Sequence, residues 1–203
     1  DMSFYKALKK KGRGINARLE NENSKNTSDL YTKTATTFFQ SGNLDDERNQ
    51  FQVDGAREDR LMAKIGYSEP LRDSLVFNFE TTYRFQKSRE TRTTYDFDTA
   101  ANNYTNYNDL LSNNIHSSSS SITPMVGISM RKSKIRGSIS MGTEIINFDN
   151  QSTYLSTKTA VNKNYMYPKV NGNINITLSK SKSLYSFYSY SVNLPSAHQV
   201  LPF

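Results

Sequence analysis

Two histidines stand among the 203 residues, and one of them, His116, runs straight into the serines Ser117–Ser121. A histidine beside serines suggests nucleophilic hydrolysis. That chemistry needs a base oriented by a third group and an oxyanion site. Neighbours in an extended chain point to opposite faces, and no nucleophile-elbow glycines flank these serines. The stretch therefore reads as a polar strand segment, and His198 as a loop residue. Asp45-Asp46-Glu47 and Glu58-Asp59 offer hard oxygen ligands for a cation, without the alternating Asp spacing of a calcium loop. Asp45-Asp46-Glu47 reads as part of a solvated loop rather than a cation site. The lone glycines make no phosphate-binding pattern, and Gly137 and Gly142 read as positions that relieve crowding or bend a strand. With no Cys, disulfides and thiolate metal sites are excluded. The expectation is a protein without catalytic, cofactor-binding or metal residues, and not an enzyme.

A second polar set is spread along the chain at every other position: Asn78, Glu80, Arg84, Arg136, Glu144, Asn173 and Asn175. Each is flanked by apolar residues of opposite parity. From Leu75 the alternate positions read Leu75, Phe77, Phe79, Thr81, Tyr83, Phe85, and from Ile135 they read Ile135, Gly137, Ile139, Met141 and Ile145. Ile15, Ala17, Leu19; Leu61, Ala63, Ile65, Tyr67; Val126, Ile128, Met130; and Ile174, Ile176, Leu178 repeat the pattern. A period of two is the mark of β-strands with one apolar and one polar face. We read eight strands, near 2–9, 13–39, 50–68, 74–95, 114–132, 135–149, 162–179 and 184–194.

Short turns near 10–12, 69–73, 131–134 and 180–183 alternate with long polar loops near 41–49, 97–113 and 149–162. The apolar alternation clusters beside the short turns, whereas residues 21–37, 86–96 and 114–123 are nearly all polar. A soluble sandwich buries the middle of its strands. A transmembrane barrel instead needs roughly ten tilted residues to cross the hydrocarbon layer, and it joins short turns at one end with long loops at the other. No run approaches the ~18 apolar residues of a membrane helix, and a barrel strand accounts for the mean hydropathy of -0.72, because only every second side chain meets lipid. The 13 Tyr and 11 Phe mark a chain that folds rather than a disordered one. Tyr67, Tyr83, Phe85, Phe148, Tyr165 and Tyr167 fall at the edges of the apolar bands, where aromatic girdles belong.

The net charge of +7 would suit nucleic acid, yet the cations decorate the short turns: Lys9, Lys10, Lys11 and Arg13; Arg131, Lys132, Lys134 and Arg136; Lys180 and Lys182. Asp45, Asp46, Glu47, Asp96, Asp98, Asp109 and Asp149 lie in the long-loop half. No basic groove interleaved with aromatics appears, and no nucleic-acid partner is expected.

Several stretches resemble the outer-membrane β-barrel family related to TonB-dependent receptors. Tyr5–Gly14 is similar to its basic hairpin turn, and Ile65-Gly66-Tyr67-Ser68-Glu69-Pro70-Leu71 to its strand-ending turn. Thr94–Asp98 and Leu111–Asn114 are similar to the start and end of its extracellular loop. Tyr188–Pro202 resembles a strand followed by its Pro-Ser-x-x-Gln-Leu-x-Pro stretch. The resemblance implies an all-β, antiparallel, up-and-down barrel segment in the cell outer membrane, an internal portion of a barrel of about 22 strands. It also implies a plug and a TonB-box contact outside residues 1–203, no bound cofactor, and outer-membrane lipid, a TonB-type energy-transducing complex and a large nutrient as partners. Asp1-Met2-Ser3-Phe4 has no signal-peptide pattern, and the expectation is that a signal has been removed or that this is an internal portion. A non-transporting barrel acting as adhesin, scaffold or assembly component, a soluble binding sandwich and an eight-strand barrel closed on itself stay open as alternatives.

Overall fold

In a computed structural model, residues 1–37 and 46–192 are described, and they form one antiparallel sheet. Its strands are β1 (Met2–Ala7), β2 (Gly14–Thr36), β3 (Asp46–Arg72), β4 (Leu75–Asp98), β5 (Asn103–Tyr107), β6 (Asn113–Lys132), β7 (Ile135–Tyr154), β8 (Thr157–Ser179) and β9 (Lys182–Tyr190). The order β1-β2-β3-β4-β6-β7-β8-β9 follows the chain, with β5 attached to β4 beyond the end of β6. Neighbours in this meander follow one another along the chain, and the sheet curves into an eight-strand half-barrel. β1 and β9 form its two edges, so among the described residues the sheet does not close as a small barrel.

The eight main strands lie where the alternation puts them, but two long loops are shorter than expected. β7 and β8 pair from Ile135↔Ile176 out to Tyr154↔Thr157, leaving only Leu155 and Ser156 as a turn. Both have positive φ, 48° and 60°, the conformation of a two-residue hairpin turn that Asn-Gly normally announces. Without that dipeptide, and with polar residues on both faces of 149–162, the hairpin reads as a loop. The 97–113 stretch likewise carries β5. Of the 41–49 loop, residues 46–49 belong to β3 and the rest lie outside the described residues, as do the Pro-Ser stretch and His198.

Three prolines sit inside strands, where a missing N–H breaks the ladder. Pro70 occupies the bulge before Arg72. Pro124 lies where the β6–β7 pairing is interrupted between Ile122 and Met125. There the Pro124 carbonyl approaches Gly142 so closely that a Cβ at Gly142 would collide with it. Glycine is required at that position by the neighbouring backbone.

Candidate functional site: the concave wall

The register sorts the side chains onto two faces. On the outer face Leu19, Ala63, Tyr83, Ile122, Ile145 and Met166 stand directly opposite one another across β2, β3, β4, β6, β7 and β8. Between this row and the short turns the outer face is apolar, and it is exposed: Ile65 is 56% and Ile139 53% accessible, with Phe79, Val126, Ile128, Met141 and Ile174 alike. Hydrophobic belts of this extent are not left open to water on soluble monomers.

The buried strand residues all take the other parity. Thr82, Thr94, Ile115, Thr123, Ile146, Phe148, Asn150 and Ser152 are buried on the concave side. Phe148, with Tyr165 and Tyr167, therefore does not join an outer girdle. Phe148 is 6% exposed, and the two tyrosines stack with centroids 5.9 Å apart on the inner face. Outer positions are odd-numbered on β7 but even-numbered on β8, so these three rings fall in the wrong phase. Phe148 breaks the parity of Ile145, and the tyrosines that of Met166. Tyr67, Tyr83 and Phe85 do face outward.

The concave wall of the belt half is polar, and it gathers most of the inward set. Glu80 pairs with Lys64 at 2.7 Å. Glu144, with its side chain 17% exposed, takes Lys169 at 3.3 Å and Arg84 at 3.9 Å. Arg84 and Glu144 lie on β4 and β7, so their contact crosses β6 where Ser121 and Thr123 offer only short side chains. Asn78 donates to Ser129 Oγ and Asn173 to Ser138 Oγ, both at 3.0 Å. These are cross-strand hydrogen-bonding pairs. Arg136 is not drawn into them. It stands opposite Arg131 and Asn175 at the short-turn rim of a groove of about 1090 Å³ that Lys10, Lys11 and Arg72 also line. Lys64, Lys169, Ser129 and Ser138 were not singled out from the sequence. Their parity was visible, but the diagonal pairing that joins Lys64 to Glu80 depends on register.

At the same rim, beyond the last belt residue of β3, Glu69 ties the first hairpin turn to β3. Arg13 donates from Nε and Nη2 to its two oxygens at 2.6 and 2.8 Å, Lys10 at 2.8 Å and the Tyr67 hydroxyl at 2.5 Å. Arg13, then Lys10 and Tyr67, hold this carboxyl well below the usual carboxylate range. Both segments in this clamp were quoted above for the family resemblance.

The nucleophile candidates are separated. His116 faces outward opposite Arg89 and Gln151, while Ser117 points inward and bonds Asn150. Burial, then the charges of Arg89 and Lys87, keep His116 below its ordinary range. Glu58 and Asp59 also diverge, with Glu58 held by Arg60 at 2.8 Å and Gln86 at 2.5 Å.

No family model matches the sequence, and no curated protein matches it. Among solved structures the half-barrel is similar to the ferric citrate transporter FecA in its unliganded form, with a TM-score of 0.50 and 13% identity over 86% of this chain. The chain spans 27% of that structure's length, and at this identity the likeness is one of fold. The wall is that of an all-β, antiparallel half-barrel.

Proposed function

We propose that this chain is a wall segment of an outer-membrane transport barrel, similar to TonB-dependent receptors, that admits a large nutrient. It has no enzymatic role, no nucleic-acid partner and no resident cofactor. The observation that carries the reading is the inversion of the belt half: exposed aliphatic side chains outside, paired ions and amides inside. Lipid would cover the first, and a plug or hydrated substrate route would meet the second. Backbone pairing across the sheet satisfies the main chain within the hydrocarbon layer, as lipid demands. Coupling to a TonB-type complex would run through parts outside residues 1–203.

Because the chain has no Cys, single cysteines test the topology directly. In the full-length protein reconstituted in vesicles, Ile139→Cys should resist a water-soluble maleimide and react with a lipid-phase reagent. The neighbouring Ser140→Cys should do the reverse. Equal aqueous labelling of both would sink the membrane reading. Transport is tested by nutrient-limited growth after deletion of the gene.

One observation favours a second reading, a surface scaffold or adhesin. Beyond the belt, Tyr31, Phe51, Tyr104 and Phe97 cluster on the outer face with centroids 4.5 to 5.9 Å apart. Loss of adhesion with unchanged nutrient uptake on deletion would select it.

A further inference from the structure

Above the apolar belt the outer face turns positive along a single line. Lys25 pairs opposite Arg57, Arg57 opposite Arg89, and Arg89 opposite His116, across β2, β3, β4 and β6. With adjacent strands ~4.8 Å apart, these four side chains span roughly 15 Å. Like charges directly opposite on one face destabilise a sheet, so the alignment needs a compensating anion. Protein supplies little: Arg57 reaches Asp59 at 3.4 Å, and among the described residues Lys25 and Arg89 meet no carboxylate. One outward row nearer the belt Lys87 adds a further cation beside Asp59, with Asn23 on its other side. The row on the far side, Thr27, Gly55 and Thr91, is neutral. The charge is thus a thin stripe rather than a general basic surface. Burial, and after it the positive field of Arg89 and Lys87, lowers the proton affinity of His116 at the end of this row.

The height of the stripe identifies what it meets. Arg89 lies four residues beyond Phe85, the last apolar outward residue of β4 on the belt side of the stripe. At ~3.3 Å per residue and a tilt near 45° that is roughly 9 Å above the belt's edge. That is just above the lipid headgroups, which extend some 5–8 Å beyond the hydrocarbon on each side, and within reach of Lys and Arg side chains that bend back toward them. We propose that Lys25, Arg57 and Arg89, with His116 at the end of the row, form a site on the outer wall for the phosphate groups of a phosphorylated outer-leaflet lipid. Guanidinium groups bind phosphate oxygens in bidentate fashion, and the adjoining belt receives the acyl chains. The site lies outside the barrel, on the wall away from the lumen. The inference rests on the membrane reading above.

The test uses the full-length protein in phosphatidylcholine nanodiscs, titrated with short-chain phosphatidic acid and read by native mass spectrometry. Wild type should bind it. The variant Lys25→Gln/Arg57→Gln/Arg89→Gln should bind roughly a hundredfold more weakly, at about a factor of five per charge. Lys134→Gln/Lys180→Gln/Lys182→Gln removes equal charge at the opposite end and should bind as wild type does. Equal affinity in the two variants would overturn the site, as would a wild type that binds no phosphatidic acid. Displacement of the lipid by inorganic phosphate at matched concentration would make free phosphate the ligand and overturn the lipid assignment. Failure to enter nanodiscs, with Ile139→Cys open to aqueous label before any lipid is added, would instead refute the membrane reading itself.

Discussion

The half of the wall beside the short turns and the half beside the long loops are built from the same strands, yet they bury opposite things. In the long-loop half Ile115 is 2% exposed, and Ile146 and Phe148 are buried with it on the concave face, under Thr94 and Ser112. There the Thr94 N–H donates to Ser112 Oγ at 3.0 Å, and the Thr94 hydroxyl to the Leu111 carbonyl at 3.2 Å. That half is organised as a water-soluble protein is, with apolar groups inside. In the short-turn half the aliphatic side chains point out and Lys64–Glu80 and Arg84–Glu144–Lys169 point in. Side chains alternate between the faces in both halves, and what differs is which face carries the apolar set. The outward row from Leu19 to Met166 marks where one regime gives way to the other.

The contrast is broken most strongly from the soluble-like side. Phe148→Ala should cost roughly 3–5 kcal/mol, the usual penalty for emptying a buried aromatic site, measured by denaturant unfolding of the reconstituted protein. From the belt side, Ile139→Arg should cost roughly 2–4 kcal/mol near the middle of the hydrocarbon layer. Gln151→Arg, outward on the same strand but in the long-loop half, should stay within about 0.5 kcal/mol of wild type. If the two arginines cost the same, the halves do not face different media. Inside the belt half, Glu144→Gln keeps the shape but leaves Arg84 and Lys169 without their carboxylate. A loss of about 1 kcal/mol is expected for a partly exposed ionic group, read from the same unfolding curves.

How much of this was legible before the structure follows the same division. The belt half was readable almost residue by residue, because an apolar outer face and a polar inner face enforce strict alternation from Leu75 to Phe85 and from Ile135 to Ile145. The long-loop half was not. Beyond Ile145 the concave face of β7 buries polar Asn150 and Ser152 beside Ile146 and Phe148, so both faces carry polar residues and the hydropathy period vanishes although the ladder continues to Tyr154↔Thr157. Phe148 looked like a girdle residue because position along the strand was visible while its change of phase was not. Pro124 and Pro168 argue against interior strands on local grounds; Gly142 and the register accommodate the first. The inward polar set was legible as a face, but its pairs were not, since Arg84 and Glu144 meet across an intervening strand.

Glu69 offers the smallest and sharpest test, because it joins sequence to structure at the rim of the belt. Arg13 holds its carboxylate, with Lys10 and Tyr67 assisting, and the folded state keeps it ionised well below its ordinary value of 4.5. A carboxyl whose folded proton affinity is depressed stabilises the fold above its unfolded value, and that contribution is lost as pH falls through the folded one. Wild type should therefore lose stability from about pH 4.5 downward, whereas Glu69→Gln should start lower at neutral pH and show a flatter acid limb. Added salt should narrow the difference, since Lys10 and Arg13 remain solvent-accessible and screening weakens such pairs. The measurement is the urea midpoint of both proteins across the acid range at two ionic strengths. Parallel curves would mean that the hairpin turn is held to β3 by uncharged contacts, such as the Ser68 hydroxyl donating to the Gly12 carbonyl, and that the clamp of charges adds nothing to the rim.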